Sequence, residues 1–218
     1  LYDDPWEGIQ PVFVERAPGV DNDALRFLAG GHIEVTWRIR EGMSWSDGTP
    51  LTSADMALVF EAMPNPGVVE VTTPDERTMV VHWSDRLAAA LDPPWAWPAH
   101  VLRPVYEAGG YDAVLDHRRT TPLPSLGPYQ IVGFEKKSHL EATANPHFPG
   151  PQPSIPNMKM VYYEDRAQLT ADFEAGKVDI ITPNSVTLEQ AQDLAGSRPE
   201  AVHIRSSAIF IYIHPDLE

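Results

Sequence analysis

Between residues 32 and 63 the chain reads HIEVTWRIREGMSWSDGTPLTSADMALVFEAM, and its apolar period changes partway along. Ile33, Val35, Trp37 and Ile39 alternate with Glu34, Thr36, Arg38 and Arg40, the period of two that marks a half-buried strand. Past Thr52 the apolar residues fall at Met56, Val59, Phe60 and Met63, the i, i+3, i+4, i+7 spacing of a helix. Between these elements stand Trp45 and the tripeptide Ser46-Asp47-Gly48, a turn signal whose glycine accepts positive φ. Thr52 reads as the N-cap, Asp55 as the acid of a capping box, and Pro64 as the stop. A strand that turns a corner into an amphipathic helix predicts a helix seated on a sheet, hence an α/β fold. Trp45, Asp47, Gly48, Thr52 and Asp55 then have structural duties at the corner. As a catalytic carboxylate pair, Asp47 and Asp55 lack a neighbouring base or metal ligand.

The rest of the chain supplies more of both periods. Residues 68–73 and 77–83 read as a hairpin around Pro74-Asp75-Glu76. VLRPVYEAGGYDAVLDH reads as helical pieces separated by Gly109-Gly110. LGPYQIVGFEKKSHLEATANP reads as two strands turned at Lys136-Lys137-Ser138, and MKMVYYED as a third. Leu169 and Phe173 lie on one helix face, with Gly176 as C-cap and a strand at 178–181. VTLEQAQDLAG predicts a helix stopped at Gly196, and AVHIRSSAIFIYIH closes with strand character. Proline occurs 22 times in 218 residues, about twice its usual share of roughly 5%, which favours loops over long helices. RTTPLPSL, near residues 119–126, reads as a linker between a unit at 1–119, holding hairpin and corner, and a second at 120–218.

Composition narrows the function. A formal net charge of −15 repels phosphate backbones, so nucleic acid is excluded as a natural partner. With no cysteine there is no disulfide, thiol chemistry or Cys-based zinc site. No apolar run is long enough to span a bilayer. The eight histidines are scattered without ligand spacing, so no metal is expected. No nucleophile elbow, zinc-protease, P-loop or dinucleotide fingerprint is present, and neither catalysis nor a cofactor is expected. That pattern suits a binding protein better than an enzyme. Trp95 and Trp97, in PPWAWP, read either as buried loop anchors or as part of a ligand-cleft wall. The basic cluster His117-Arg118-Arg119 reads as a local ion-pair patch. The start at Leu1 and the apolar run near Glu218 lead us to expect a processed N-terminus and a natural chain that continues.

Taken together, these segments resemble the family 5 extracellular solute-binding proteins, the oligopeptide and dipeptide receptors of ABC importers. Arg40, Gly42, Trp45, Ser46, Asp47, Gly48, Pro50, Leu51, Thr52 and Asp55 match the family's signature in order. Gly127-Pro128-Tyr129, Asn145-Pro146, and Gly176, Val178 and Asp179 match three later motifs. Ala144 stands where the family usually has Arg, and Phe148-Pro149 where it has Tyr-Trp. The resemblance implies a periplasmic-binding-protein-like class II fold with mixed sheets. Of its two lobes the chain would carry only the first, and half a site. It also implies an extracytoplasmic, lipid-anchored protein that closes by a hinge on a peptide or other small solute, then docks on an ABC permease in the membrane. Relatives take peptides, nickel chelates, sugars and opines. By analogy, Thr182, Asn184, Ser185, Phe210 and Tyr212 are candidate ligand residues, with Trp95 and Trp97 beside them. The same lobe used without transport, as a sensor or interaction module, is the alternative.

Overall fold

The structure, a computed structural model, describes residues 2–4, 8–10, 12–84, 90–92, 94–182, 185–197, 199 and 202. The chain divides into two units, Leu1–Val161 and Tyr162–Glu218. The RTTPLPSL stretch lies inside the first, where Ser125 is bonded to the corner at Ser46.

The first unit opens with an antiparallel pair, β1 (Tyr2–Asp4) and β2 (Gly8–Gln10). A four-stranded antiparallel sheet follows, in the order β3 (Leu25–Phe27), β4 (Ile33–Arg38), β6 (Thr78–Trp83), β5 (Val68–Asp75). On β4 the alternation is realised: Ile33, Val35 and Trp37 are buried, as is Ile39 just past its end. They meet Met79, Val81 and Trp83 of β6 in one core. The hairpin places Pro74 on β5, an outer strand, where its missing N–H costs no ladder bond.

Helix α1 (Ser53–Ala62) packs on β5 and β6 and, on another side, against α2 (Ala99–Thr120). It therefore differs from the single-stripe expectation. Met56 joins the sheet core, whereas Leu58, Val59 and Ala62 join Trp97, Leu102 and Val114 in a second core. Phe60 and Met63 are only half-buried. A helix held between a sheet and another helix is apolar on two sides, which a one-face template does not register. Within α2, Gly110 adopts φ 68°, ψ −159°, a conformation essentially restricted to glycine. This break separates the two helical pieces and lets Leu102 and Val114, from either side of it, share one core. A three-stranded antiparallel sheet completes the unit: β7 (Tyr129–Glu135), β8 (His139–Ala144) and β9 (Asn157–Val161).

In the second unit α3 (Arg166–Glu174) is capped by Asp165, whose carboxylate accepts from the Ala167 N–H at 2.8 Å. Gly176, at φ +72°, follows its C-terminus. Helix α4 (Leu188–Ser197) starts with a reciprocal Thr187–Gln190 exchange, and it runs through Gly196 instead of stopping there. The strand expected at 178–181 is absent: the segment has no ladder partner among the described residues, and Ile180 is exposed. Strand structure requires a neighbour to pair with, which an apolar run by itself does not provide. The strand character read at 203–214 lies outside the described residues.

Across the solvent face of the four-stranded sheet, charges line up strand by strand. Arg26 on β3 pairs with Glu34 on β4 at 3.4 Å; Glu34 meets His82 Nε2 on β6 at 2.9 Å; His82 Nδ1 meets Glu70 on β5 at 3.1 Å. A neutral imidazole donates from one nitrogen only, so two carboxylates favour the imidazolium. The hydrogen bond to Glu34, then that to Glu70, hold the His82 pKa above its ordinary 6.5. A raised folded pKa gives stability that is complete below the unfolded value and lost as pH rises through the folded one. Between pH 6 and 9 the parent protein should lose up to about 1 kcal/mol more than His82→Gln, the exposed setting keeping the effect small. Urea titrations of both proteins at the two pH values measure it; equal losses would mean the row does not couple to folding.

Candidate functional site: a buried junction and an open tryptophan

The signature stretch makes a joint. The Trp45 N–H donates to the Thr49 carbonyl at 2.8 Å, and the Gly48 N–H donates back to the Trp45 carbonyl at 2.9 Å. Gly48 sits at φ +85°, where a side chain would be strained. The Asp47 carboxylate accepts from the Thr49 N–H at 3.0 Å and meets His100 Nε2 at 2.8 Å. Burial pushes its pKa up, but the bonds from Thr49 and His100 outweigh burial and hold it below the ordinary 3.8. Asp55, only 2% exposed, serves two helices. Its Oδ2 accepts from the Thr52 N–H at 2.7 Å and the Thr52 hydroxyl at 3.1 Å, at the start of α1. Its Oδ1 accepts from the Ala99 N–H at 2.7 Å, at the start of α2. The Asp55 carbonyl also accepts from the Trp97 N–H at 2.9 Å.

Two of the later matched motifs, Gly127-Pro128-Tyr129 and Asn145-Pro146, lie next to the same joint. The Ser46 N–H donates to the Ser125 carbonyl at 2.9 Å, and the Ser125 N–H donates to Ser46 Oγ at 3.0 Å. The Ser125 hydroxyl donates to the Tyr129 carbonyl. Asn145 is fully buried; its Nδ2 donates to the Gly127 carbonyl at 2.8 Å, its N–H to the Pro128 carbonyl at 2.9 Å, and its Oδ1 accepts from the His147 N–H at 2.9 Å. A cluster so saturated with internal partners holds elements in register and has little capacity left for a ligand.

The two candidate tryptophans separate. Trp97 is 4% exposed, stacked on Tyr111 with centroids 6.3 Å apart and planes 10° apart, and the Arg118 guanidinium lies 5.2 Å from its ring centre. Trp97 is thus a core anchor, and Arg118 has a packing role beyond the expected ion-pair patch, in which Arg119 meets Asp116 at 3.1 Å. Trp95 is 68% exposed. Its neighbours Pro94 and Ala96 line an apolar pocket of about 200 Å³ with Phe13, Val14, Trp37, Leu51, Met56 and Leu126. Sequence reading missed this pocket, because its walls come from separate stretches without a shared motif.

In the second unit Thr182 and Ser185 lie together: their hydroxyls are 2.7 Å apart, and the Ser185 N–H donates to the Thr182 carbonyl at 3.2 Å. Asn184, Phe210 and Tyr212 lie outside the described residues. Among the described residues no three His, Asp or Glu side chains are placed to hold a metal ion, and no helix is long and apolar enough to cross a membrane.

Comparison with known proteins follows the same lines. The profile of the bacterial extracellular solute-binding proteins, family 5 Middle, matches residues 31–215. The chain is 27% identical to Protein XP55 of Streptomyces lividans over 195 residues, covering 85% of this chain and 34% of that protein. It is 26% identical to a putative ABC transporter peptide-binding protein of Brucella ovis over 194 residues, covering 82% and 34%. The chain thus spans about a third of the length of these relatives. Among solved structures it superimposes on the oligopeptide-binding protein of Thermus thermophilus, complexed with a pentapeptide, with a TM-score of 0.71 and 22% identity, covering 84% of this chain and 38% of that one. The fold is a mixed α/β one of the periplasmic-binding-protein class II type, and the sheets among the described residues are all antiparallel, not mixed in strand direction. On the profile match across most of its length, the chain belongs to the bacterial extracellular solute-binding proteins of family 5.

Proposed function

We propose that this chain supplies part of the wall of an extracytoplasmic solute site, for peptides in the first place, in a protein that hands its solute to an ABC permease. Binding without chemistry is the role; a lipid anchor on the outer face of the membrane belongs to the same reading. The observation that carries it is Trp95, an exposed indole whose chain neighbours Pro94 and Ala96 line the apolar pocket of Phe13, Trp37 and Met56. An open aromatic side chain, adjacent in sequence to the walls of an apolar recess and on a framework tied rigidly at the buried joint, suits a peptide backbone and its side chains. The peptide-binding relatives and the pentapeptide-bound structural neighbour support the choice of solute. Thr182, Asn184, Ser185, Phe210 and Tyr212 belong to the proposal as further ligand contacts.

Calorimetric titration of the intact protein with di- to pentapeptides, alongside sugars, opines and nickel chelates, tests the reading. We expect a peptide to bind, and Trp95→Ala to weaken it by about 2 kcal/mol, roughly thirtyfold, with unchanged melting temperature. Binding of a chelate or sugar alone would overturn the peptide assignment. Equal affinity of parent and variant would remove Trp95 from the wall.

A further inference from the structure

The pocket lined by Pro94 and Ala96 is held open by the framework around it. The Phe13 carbonyl accepts from the Arg40 N–H at 2.9 Å, and the Val14 carbonyl accepts from Arg40 Nε at 2.8 Å. The Leu51 N–H donates to the Met43 carbonyl at 2.9 Å. Ala96 precedes Trp97, whose N–H is bonded to Asp55, and Leu126 follows Ser125, which is bonded to Ser46. Each wall is thus fixed by main-chain bonds to a different part of the first unit, so a guest need not order the walls on entering. Trp37, Leu51 and Met56 are buried, whereas Phe13, Ala96 and Leu126 are half-buried and border solvent.

Chemistry and size then select the guest. The lining carries no charged group, amide or hydroxyl, so a charged or strongly polar side chain would lose its water without gaining a partner. Its volume is about 200 Å³. An apolar cavity of about 150 Å³ is enough to take up benzene, so one phenyl ring with its methylene fits here, while a methyl group would leave most of the space empty. Phe13 and Trp37 supply ring contacts and Met56 a thioether, all favourable to an aromatic guest. We propose that this pocket is a specificity pocket for one uncharged aromatic side chain, phenylalanine in size, of a bound peptide. The proposal rests on the peptide reading above and adds which peptides are preferred.

The test is calorimetric titration of the intact protein with pentaalanine and with the five pentapeptides that carry a single phenylalanine among alanines, one for each position. We expect phenylalanine at one position to tighten binding about tenfold or more over pentaalanine. At that position leucine should fall between the two, and glutamate or lysine should bind no tighter than alanine. Ala96→Phe, which fills the pocket from its wall, should remove the preference for phenylalanine. Phe13→Ala, which enlarges the pocket at a half-buried position, should shift the preference from phenylalanine to tryptophan. Melting temperatures show whether each variant is folded. Six peptides bound with equal affinity would overturn the pocket and leave the peptide reading standing. A phenylalanine preference undiminished in both variants would place the ring elsewhere and overturn the proposal. If none of the peptides binds while a sugar or chelate does, the peptide reading falls and the proposal falls with it.

Discussion

Asp55→Ala should lower the unfolding free energy by about 3–5 kcal/mol, the range expected when a buried carboxylate with several hydrogen-bonded partners is removed. The carboxylate accepts from Thr52 at the start of α1 and from Ala99 at the start of α2, so its loss strands an N–H at each helix. The second helix has no alternative, because Pro98 occupies its N-cap position and offers no side-chain acceptor. Both helix N-termini also lose a negative charge placed favourably to their dipoles. Asp55→Asn retains the shape but turns one acceptor into a donor, so it must abandon either Thr52 or Ala99. It should fall between parent and Ala variant in urea denaturation. If Asp55→Ala unfolds at the parent's urea midpoint, the two helices are held by packing alone. A folded Asp55→Ala that lost solute binding without losing stability would instead make the carboxylate part of the solute site.

Trp45→Ala should cost a similar amount, about 3–5 kcal/mol, as large aromatic truncations in a packed core do. Trp45 is 3% exposed within the core formed by β4 and β6, and its ring lies 6.4 Å from that of His100. Its indole Nε1, however, is buried without a hydrogen-bond partner. Trp45→Phe keeps most of the ring and deletes that unpaired donor, whose burial is unfavourable. The Phe variant should therefore lose less than half of what the Ala variant loses. Thermal unfolding of the three proteins provides the comparison. A Phe variant as unstable as the Ala variant would show that indole volume, not polarity, decides. Because Trp45 is buried and is not among the residues that line the pocket beside Pro94 and Ala96, a folded Trp45→Ala protein should still bind solute; selective loss of binding would contradict the structural role.

Much of the fold was legible because its signals are short-range. The alternation at Ile33, Val35 and Trp37 reports one buried face directly, since neighbouring strand residues point opposite ways. The Thr52–Asp55 capping box and the turn at Gly48 are chemical necessities of three or four consecutive residues. The glycine pair in α2 was readable for the same reason: only glycine takes the conformation found at Gly110. Leu58 was not readable as core, because its burial depends on α2 lying across α1, and nothing near Leu58 announces that helix. The strand expected at 178–181 failed on the same ground, for pairing is a property of two segments.

The candidate site divides in the same way. The sequence by itself marked PPWAWP as aromatic and the signature stretch as a corner, but it had no means of telling Trp95 from Trp97. Only the tertiary structure decides that Trp97 stacks on Tyr111 while Trp95 stands open, because burial is set by what the rest of the chain brings alongside. It alone bonds Asp55 to Ala99, 44 residues away, and Ser46 to Ser125, 79 residues away. Local backbone preference and apolar period are written residue by residue. A hydrogen-bond partner, a pocket wall or an open ring face depends on distant segments that meet only when the chain has buried its apolar surface.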